Sequence, residues 1–474
     1  MIFNFSLMKT IFLPSTWLFV CLFFLIGNGA FAKITMPSVF TDNMVLQQKS
    51  EVAIWGWANA GETLSIIAGW NSSDTVKVKV DNTARWSAVL KTVEAGGPYT
   101  IQISGSSKVE IKNVMLGEVW ICSGQSNMEW SVDMGIRHGE EEAARAHHSD
   151  IRIFQTPKIG ASYPQQTCNA NWNICTPETM RSTSAVGYFF ARELQQKLNV
   201  PVGIIVSAWG GTPAEVWVEK CRIENDPVLD SAKYALKYDW WPGEPGVLYN
   251  SMIAPVVPFG IAGAIWYQGE SNCTNHQVYA LLMKTLIENW RSNFKKEFPF
   301  YYVQIAPYNY GDGGTSHFVR EQQAEVEKRV PNCGMVVVSD LVDNIDNIHP
   351  QNKLDVGKRL AAFALAETYK QDVGSYQSPA FKAMKVEKNK IRLSFEHVPT
   401  GLKSSVKMPA QFLVAGADRN FMPATARIEG NTIVVSSKQV KNPVAVRFCF
   451  DNTSMPDVFS NEGLPLAPFR TDRW

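Results

Sequence analysis

Residues 117 to 130 read Gly-Glu-Val-Trp-Ile-Cys-Ser-Gly-Gln-Ser-Asn-Met-Glu-Trp. A β-rich run, Val119 to Cys122, stops at Gly124-Gln125-Ser126-Asn127. A serine on a tight turn after a buried strand exposes its hydroxyl, and the backbone N–H groups that follow aim at the same point. Acyl transfer needs that arrangement, a nucleophilic oxygen beside donors for the developing oxyanion. Ser126 is therefore the candidate nucleophile. It needs a base, and the base needs an orienting carboxylate. Among the seven histidines, His138, His147 and His148 lie on or beside a polar helical stretch, and His397 falls in a late β-rich region. His276 and His317 have no helpful local pattern. His349 stands in Asp346-Asn-Ile-His-Pro350, just after a strand ending at Ser339 and just before a helix starting at Lys353. An acid three residues before a histidine on such a loop lets both side chains point into one pocket. Asp346 then accepts from one ring nitrogen while the other faces Ser126.

Oxyanion donors are expected at other strand ends. Ser207-Ala-Trp-Gly-Gly-Thr-Pro213 follows the apolar run Val202 to Val206, and its paired glycines let a backbone N–H approach a ligand closely. Trp266-Tyr-Gln-Gly-Glu-Ser-Asn272 ends another apolar run and offers the amides of Gln268 and Asn272. Glu270 is either a second acid or a structural carboxylate, with the structural role favoured. Gln125, Asn127, Trp130 and Trp209 border these segments and are expected to touch substrate. Fifteen tryptophans suit sugar stacking, although most belong to the core.

A frame is needed to bring these segments together. Between about 113 and 375, apolar strands alternate with helical periodicity. The strands expected are Glu118–Cys122, Val202–Ser207, Ala262–Tyr267, Phe300–Ile305 and Gly334–Ser339. The helices expected are Glu140–Ala146, Ala185–Leu198, Tyr279–Asn293, Val319–Val326 and Lys353–Tyr369. That alternation predicts a three-layer α/β domain with a mostly parallel sheet, its functional residues on loops at the carboxyl ends of the strands. Residues 33–112 and 376–474 are rich in β-branched and aromatic runs broken by Gly, Asn, Asp and Pro, and predict flanking N- and C-terminal β modules. Single strands are expected over Val386–Phe395, Ala410–Val414, Ala426–Val435 and Pro443–Phe450.

Residues 1–32 read as a secretory signal peptide. Lys9 precedes an apolar run, Ile11 to Ile26, and Ala30-Phe31-Ala32 supplies the small residues of a cleavage site, which starts the mature chain near Lys33 in a secreted or periplasmic location. The 474 residues are 19% charged with net charge +1, which gives no electrostatic reason to expect nucleic acid or an anionic membrane as partner. Seven cysteines follow residue 32, without metal-ligand spacing. Cys168 and Cys175 either bridge or stay free.

Four segments in this order resemble the SGNH-type carbohydrate esterases, specifically the sialate O-acetylesterase family and its acetylxylan-esterase relatives. They are Gly124-Gln-Ser-Asn127, Trp209-Gly-Gly-Thr-Pro213, Trp266-Tyr-Gln-Gly-Glu-Ser-Asn272 and Asp346-x-x-His349-Pro350. Softer matches include Phe40-Thr-Asp-Asn-Met-Val-Leu-Gln-Gln48, Leu248-Tyr-Asn-Ser-Met-Ile-Ala-Pro255, Phe318-Val-Arg-Glu-Gln322 and the ending Asn461 to Asp472. The resemblance implies an SGNH-hydrolase domain and a serine esterase that removes O-acetyl groups from sialic acid, 9-O-acetyl sialate first. Acetylxylan or another acetylated polysaccharide is the alternative substrate, and an inactive carbohydrate-binding protein the other class. By position Ser126 matches the nucleophile, His349 the base and Asp346 its partner. Ser126, Gly211 and Gln268 match the oxyanion donors, with Gly210 and Asn272 in reserve, and Glu270 stays in play as an acid. No metal or organic cofactor is implied.

Overall fold

The computed structural model describes residues 33–233 and 241–474. The expected signal peptide lies outside the described residues. A seven-stranded path forms the middle of the molecule, in the order 333–336, 300–303, 263–267, 108–124, 202–208, 148–155, 172–175. All neighbours are parallel except Trp172–Cys175, which closes one edge antiparallel to His148–Gln155. The five expected strands are all present. His148–Gln155 and Trp172–Cys175 are additional. The first escapes a search for apolar runs because Arg152 interrupts it, yet that side chain is 3% exposed, its Nε turned onto the Ser149 carbonyl.

Adjacent residues along each strand bury into opposite layers, as the two-residue period of a strand requires. Trp120, Ile265 and Tyr301 pack with helices Ala185–Leu198 and Lys353–Phe363. Ile121, Trp266 and Tyr302 pack on the other face with helices Tyr279–Phe294 and Ser316–Arg329. This is the expected three-layer sandwich, with a fully buried sheet. The helix expected to reach Tyr369 is α-helical only to Phe363 and continues as a π-turn over Ala364–Thr368.

The strand Lys108–Gly124 is 17 residues long and crosses the boundary expected at 112. Its first part pairs with Gly96–Ser104 and with Val45–Gln47, and its last part with the central strands, so most N-terminal strands share one sheet with the α/β layers, while Glu51–Trp57 and Arg85–Lys91 form a separate ribbon. The C-terminal strands instead enclose a core of their own around Ile391, Leu393, Phe412, Ile433 and Phe448. Two runs expected there as single strands are hairpins. Ala380–Glu387 turns at Lys388 into Lys390–Glu396, and Thr425–Glu429 turns at Gly430 into Thr432–Ser436. Lys388 and Gly430 both hold left-handed backbone, which reverses a strand without a long loop.

The chain order along the sheet reverses at Lys108–Gly124. Later strands are added first on one side and then on the other. The carboxyl end of that central strand is therefore a topological switch point, the place where open α/β sheets form a ligand crevice between the loops of neighbouring strands.

Candidate active site

Ser126 sits at that point. It opens the short helix Ser126–Glu129, two residues after the central strand ends, and is half-buried. Gly124 makes the turn possible. It holds a φ of +138°, and a Cβ there would lie 2.2 Å from the Tyr267 carbonyl oxygen. Gly124→Ala is expected to cost about 3 kcal/mol or more of stability, because left-handed backbone and a backbone clash add. Denaturant unfolding checks this, and an unchanged midpoint would contradict the close packing. The turn is stitched to both neighbours, with the Gln125 N–H on the Tyr267 carbonyl at 3.0 Å and the Trp209 N–H on the Gly124 carbonyl at 3.1 Å.

His349 reaches the same place through Trp130. The Trp130 N–H bonds the Ser126 carbonyl, so both residues lie on one face of the helical turn. The His349 ring stacks on the Trp130 indole at 3.8 Å and 17°. Asn127 fixes the histidine loop from the other side, donating Nδ2–H to the Ile348 carbonyl at 3.1 Å. Neither Ser126 Oγ nor the ring nitrogens of His349 bond another described residue, and such bonds often tighten only when substrate is present. Burial, and after it the nearby Lys353 charge, push the His349 pKa down to about 4, so the ring is neutral and able to take a proton at ordinary pH.

Asp346 does not join this group. It lies exposed in the turn at 345–346, its carboxylate accepting from Asn309 Nδ2 at 2.9 Å and its N–H bonding Asn344 Oδ1. The Asp-x-x-His spacing does not bring the carboxylate to the ring, because this local turn directs it to the surface. Glu270 is the buried carboxylate instead. It is 8% exposed, takes Asn127 Nδ2 on Oε1 at 2.6 Å, and its Oε2 is buried without a hydrogen-bond partner. Burial raises its pKa.

Lys353 completes the network and was not singled out from the sequence. It is 1% exposed, donates to Asn127 Oδ1 at 2.6 Å and lies 5.7 Å over the Tyr267 ring. Burial lowers its pKa to about 7, against the opposing pull of Glu270. Asn127 therefore bridges an acid, a cation and the histidine loop, and is too buried, at 1% exposed, to touch a sugar as expected. Gln125 likewise braces rather than binds. At 3% exposed, its Oε1 accepts from the N–H groups of Gly269 and Ser271. A helix-start lysine four residues after the histidine was the available signal for Lys353, but a first-turn lysine ordinarily reads as solvated surface.

The expected oxyanion donors separate cleanly. Gln268 and Asn272 are both 0% exposed and fully engaged beneath the site. The Gln268 amide donates to Asn272 Oδ1 and the Thr212 carbonyl. The Asn272 amide donates to Glu215 and Asn275. Both are structural. The Gly210 N–H is held at 2.5 Å by Glu129 Oε2, whose other oxygen pairs with Lys158 at 2.6 Å. Ser126 and Gly211 keep backbone N–H groups free of described partners. Gly211 has a φ of +74°, a conformation glycine adopts without strain. A Cβ on Gly210 would lie 3.0 Å from Ser126 Cβ, which shows how closely this loop presses on the serine. Trp209 stays half-exposed against Trp241, whose indole N–H bonds the Gly210 carbonyl at 2.8 Å. Trp130 and Trp209 thus border the crevice, whereas Trp266, beside the third motif, is core. All seven cysteines after residue 32 are free thiols, Cys168 and Cys175 included.

The fold and the crevice define an SGNH-like ester hydrolase. A crystal structure of a carbohydrate acetylesterase from Xanthomonas citri superposes with a TM-score of 0.86 at 33% identity, over 93% of this chain and 100% of that one. Sialate O-acetylesterases of Rattus norvegicus and Homo sapiens are 28% and 29% identical, covering 76% and 72% of this chain and 78% and 72% of their own. The family described as carbohydrate esterase, sialic acid-specific acetylesterase, matches residues 116–366, more than half of the sequence. The chain belongs to that family, and is by that membership a carboxylic ester hydrolase.

Proposed function

We propose that this enzyme removes O-acetyl groups from a sugar by a two-step serine mechanism, with 9-O-acetylated sialic acid as the preferred substrate. The observation that carries the mechanism is Ser126 on the switch-point turn, with the unengaged N–H groups of Ser126 and Gly211 beside it and neutral His349 stacked on Trp130. His349 takes the serine proton as Oγ attacks the acetyl carbonyl. The Ser126 and Gly211 N–H groups hold the tetrahedral oxyanion. His349 returns the proton to the departing sugar hydroxyl, and water then clears the acetyl-enzyme with His349 again as base. Glu270 is the buried carboxylate assigned to offset the imidazolium charge, joined to the His349 loop through Asn127, to which Lys353 also donates. Trp130 and Trp209 offer apolar faces to the sugar. The signal-like segment before Lys33 supports a site of action outside the cytosol, where acetylated glycans occur. Among the described residues no helix is long and apolar enough to cross a membrane.

The sialate preference is supported by the names of the rat and human relatives. Acetate release from 9-O-acetylated sialic acid and from acetylxylan, measured side by side, tests it. Turnover of acetylxylan alone would reject the sialate preference and keep the serine mechanism. No release from either, nor from p-nitrophenyl acetate, would reject the mechanism itself.

The His349 environment also sets a pH dependence. The base must be neutral, and its pKa is lowered from 6.5 to about 4. Activity is therefore full above the folded pKa and lost as pH falls through it. The acid limb of kcat/KM is expected below pH 6.5, displaced toward 4. A limb at or above the ordinary histidine value would remove His349 from the role of base.

A further inference from the structure

A second cleft, of about 740 Å³, lies where the N-terminal strands meet the α/β layers. One wall is the antiparallel ribbon of Glu51–Trp57 and Arg85–Lys91. Val52, Ile54 and Gly56 turn inward, and the alternate residues Trp55 and Trp57 stay partly exposed on the cleft side, paired across the ribbon with Ser87 and Arg85, with Trp55 also packed edge-on with Phe40 at 4.6 Å. The other wall is Tyr249, Val257 and Pro258, with Gln165 at the rim. The volume suits a small ligand, and the lining joins broad indole faces to a few polar groups. A pyranose ring has that same mixture, an apolar face of C–H bonds and a polar edge.

The charges around the cleft are unevenly satisfied. Two carboxylates line it, Asp81 and Glu219. Asp81 is taken up by the N–H groups of Thr83 and Arg85 and by the Thr83 hydroxyl. Glu219 is taken up by Asn289 at 2.5 Å. The cations that line it, Lys79 and Arg85, are exposed, and their side chains have no hydrogen bond or ion pair among the described residues. The Arg85 charge acts on Asp81 only after those hydrogen bonds. Asp81 and Glu219 keep their charge, so the lining as a whole is balanced, and the charged groups still free to contact a ligand beside the indoles are, among the described residues, the two cations. A second hollow, bordered by Ile159, Tyr163 and Gln165, adjoins the cleft through Gln165. The same segment carries Lys158, which pairs with Glu129 three residues after Ser126.

We propose that this cleft is a second saccharide-binding site for a carboxylate-bearing sugar, stacked on Trp55 and Trp57 with its carboxylate on Lys79 and Arg85. It holds an acidic glycan on the enzyme away from the ester being cleaved. The site goes beyond the esterase reading and does not depend on which residue attacks the ester.

The test is calorimetric titration of the Ser126→Ala protein with the methyl glycoside of N-acetylneuraminic acid, and with the methyl ester of that glycoside as its uncharged counterpart. The acid is expected to bind, and the ester to bind about tenfold more weakly. Trp57→Ala, and separately the paired change Lys79→Gln with Arg85→Gln, are expected to weaken binding of the acid by about tenfold or more. Since both cations are exposed, the paired change keeps the test valid even if Trp57→Ala fails to fold. With Ser126 intact, the paired variant is expected to hydrolyse p-nitrophenyl acetate at the unaltered rate. Absence of binding at millimolar ligand, equal binding of acid and ester, or binding whose affinity and stoichiometry are both unchanged by the paired change would each overturn the proposal. The last of these would place the sugar in the catalytic crevice instead.

Discussion

Ser126→Ala is expected to leave a folded protein whose turnover is lower by about 10⁴-fold or more. The stability expectation follows from the local structure. The hydroxyl makes no bond to another described residue, the side chain is half-buried, and alanine suits the first position of the helix Ser126–Glu129. The activity expectation follows from chemistry. Without Oγ no acyl-enzyme forms, and what remains is the attack of water assisted by the Ser126 and Gly211 N–H groups. Acetate release and p-nitrophenyl acetate hydrolysis, read beside a thermal unfolding curve, separate the two effects. A well-folded variant retaining a tenth of the wild-type rate would move the nucleophile elsewhere, because no background reaction at an intact oxyanion site reaches that level.

Positions of elements were more legible in the sequence than the directions of side chains. The strand before Ser126 and helices Ala185–Leu198 and Tyr279–Phe294 follow from unbroken apolar periodicity, which packing in three layers preserves. His148–Gln155 was hidden because a buried arginine interrupts its apolar run. The C-terminal hairpins were hidden because their turns are only two residues wide. In the crevice, the loops carrying Ser126, Gly211 and His349 follow strand ends as the sequence suggests, but Asp346 on the same loop as His349 points to the surface, so a loop's place does not fix its side chains. The amides were not legible. Gln268 and Asn272 have the chemistry of oxyanion donors, but Thr212, Glu215 and Asn275 claim their hydrogens from below. Those partners lie more than fifty residues away or one helical turn away, and nothing in the local string reveals them. Glu129 was missed for the converse reason. It looks like a solvated helix residue, yet it holds the Gly210 N–H and so selects which of the two glycines stays free.

The identity of the catalytic acid is where local spacing and tertiary structure disagree most. Glu270→Gln is expected to lower kcat by about 10²–10⁴-fold, whereas Asp346→Asn changes it by about twofold or less. Asp346 is exposed and its carboxylate serves Asn309, so its loss removes one surface hydrogen bond. Glu270 is buried, keeps one oxygen without a partner, and is joined through Asn127 to the residue preceding His349. The imidazolium that forms during attack needs a buried negative charge, since a charge at the surface is screened by water. A purely structural Glu270 would also be missed when replaced, so a loss of activity alone is not enough. The discriminating readout is the acid limb of the pH profile. If the Glu270 charge favours the protonated ring, removing it lowers the His349 pKa further and moves the limb to lower pH, with KM little changed. If Glu270 only braces the turn, kcat and stability fall together and the limb stays in place. A large loss in Asp346→Asn with Glu270→Gln near wild type would return the acid to Asp346, and would require the turn at 345–346 to swing inward when substrate binds.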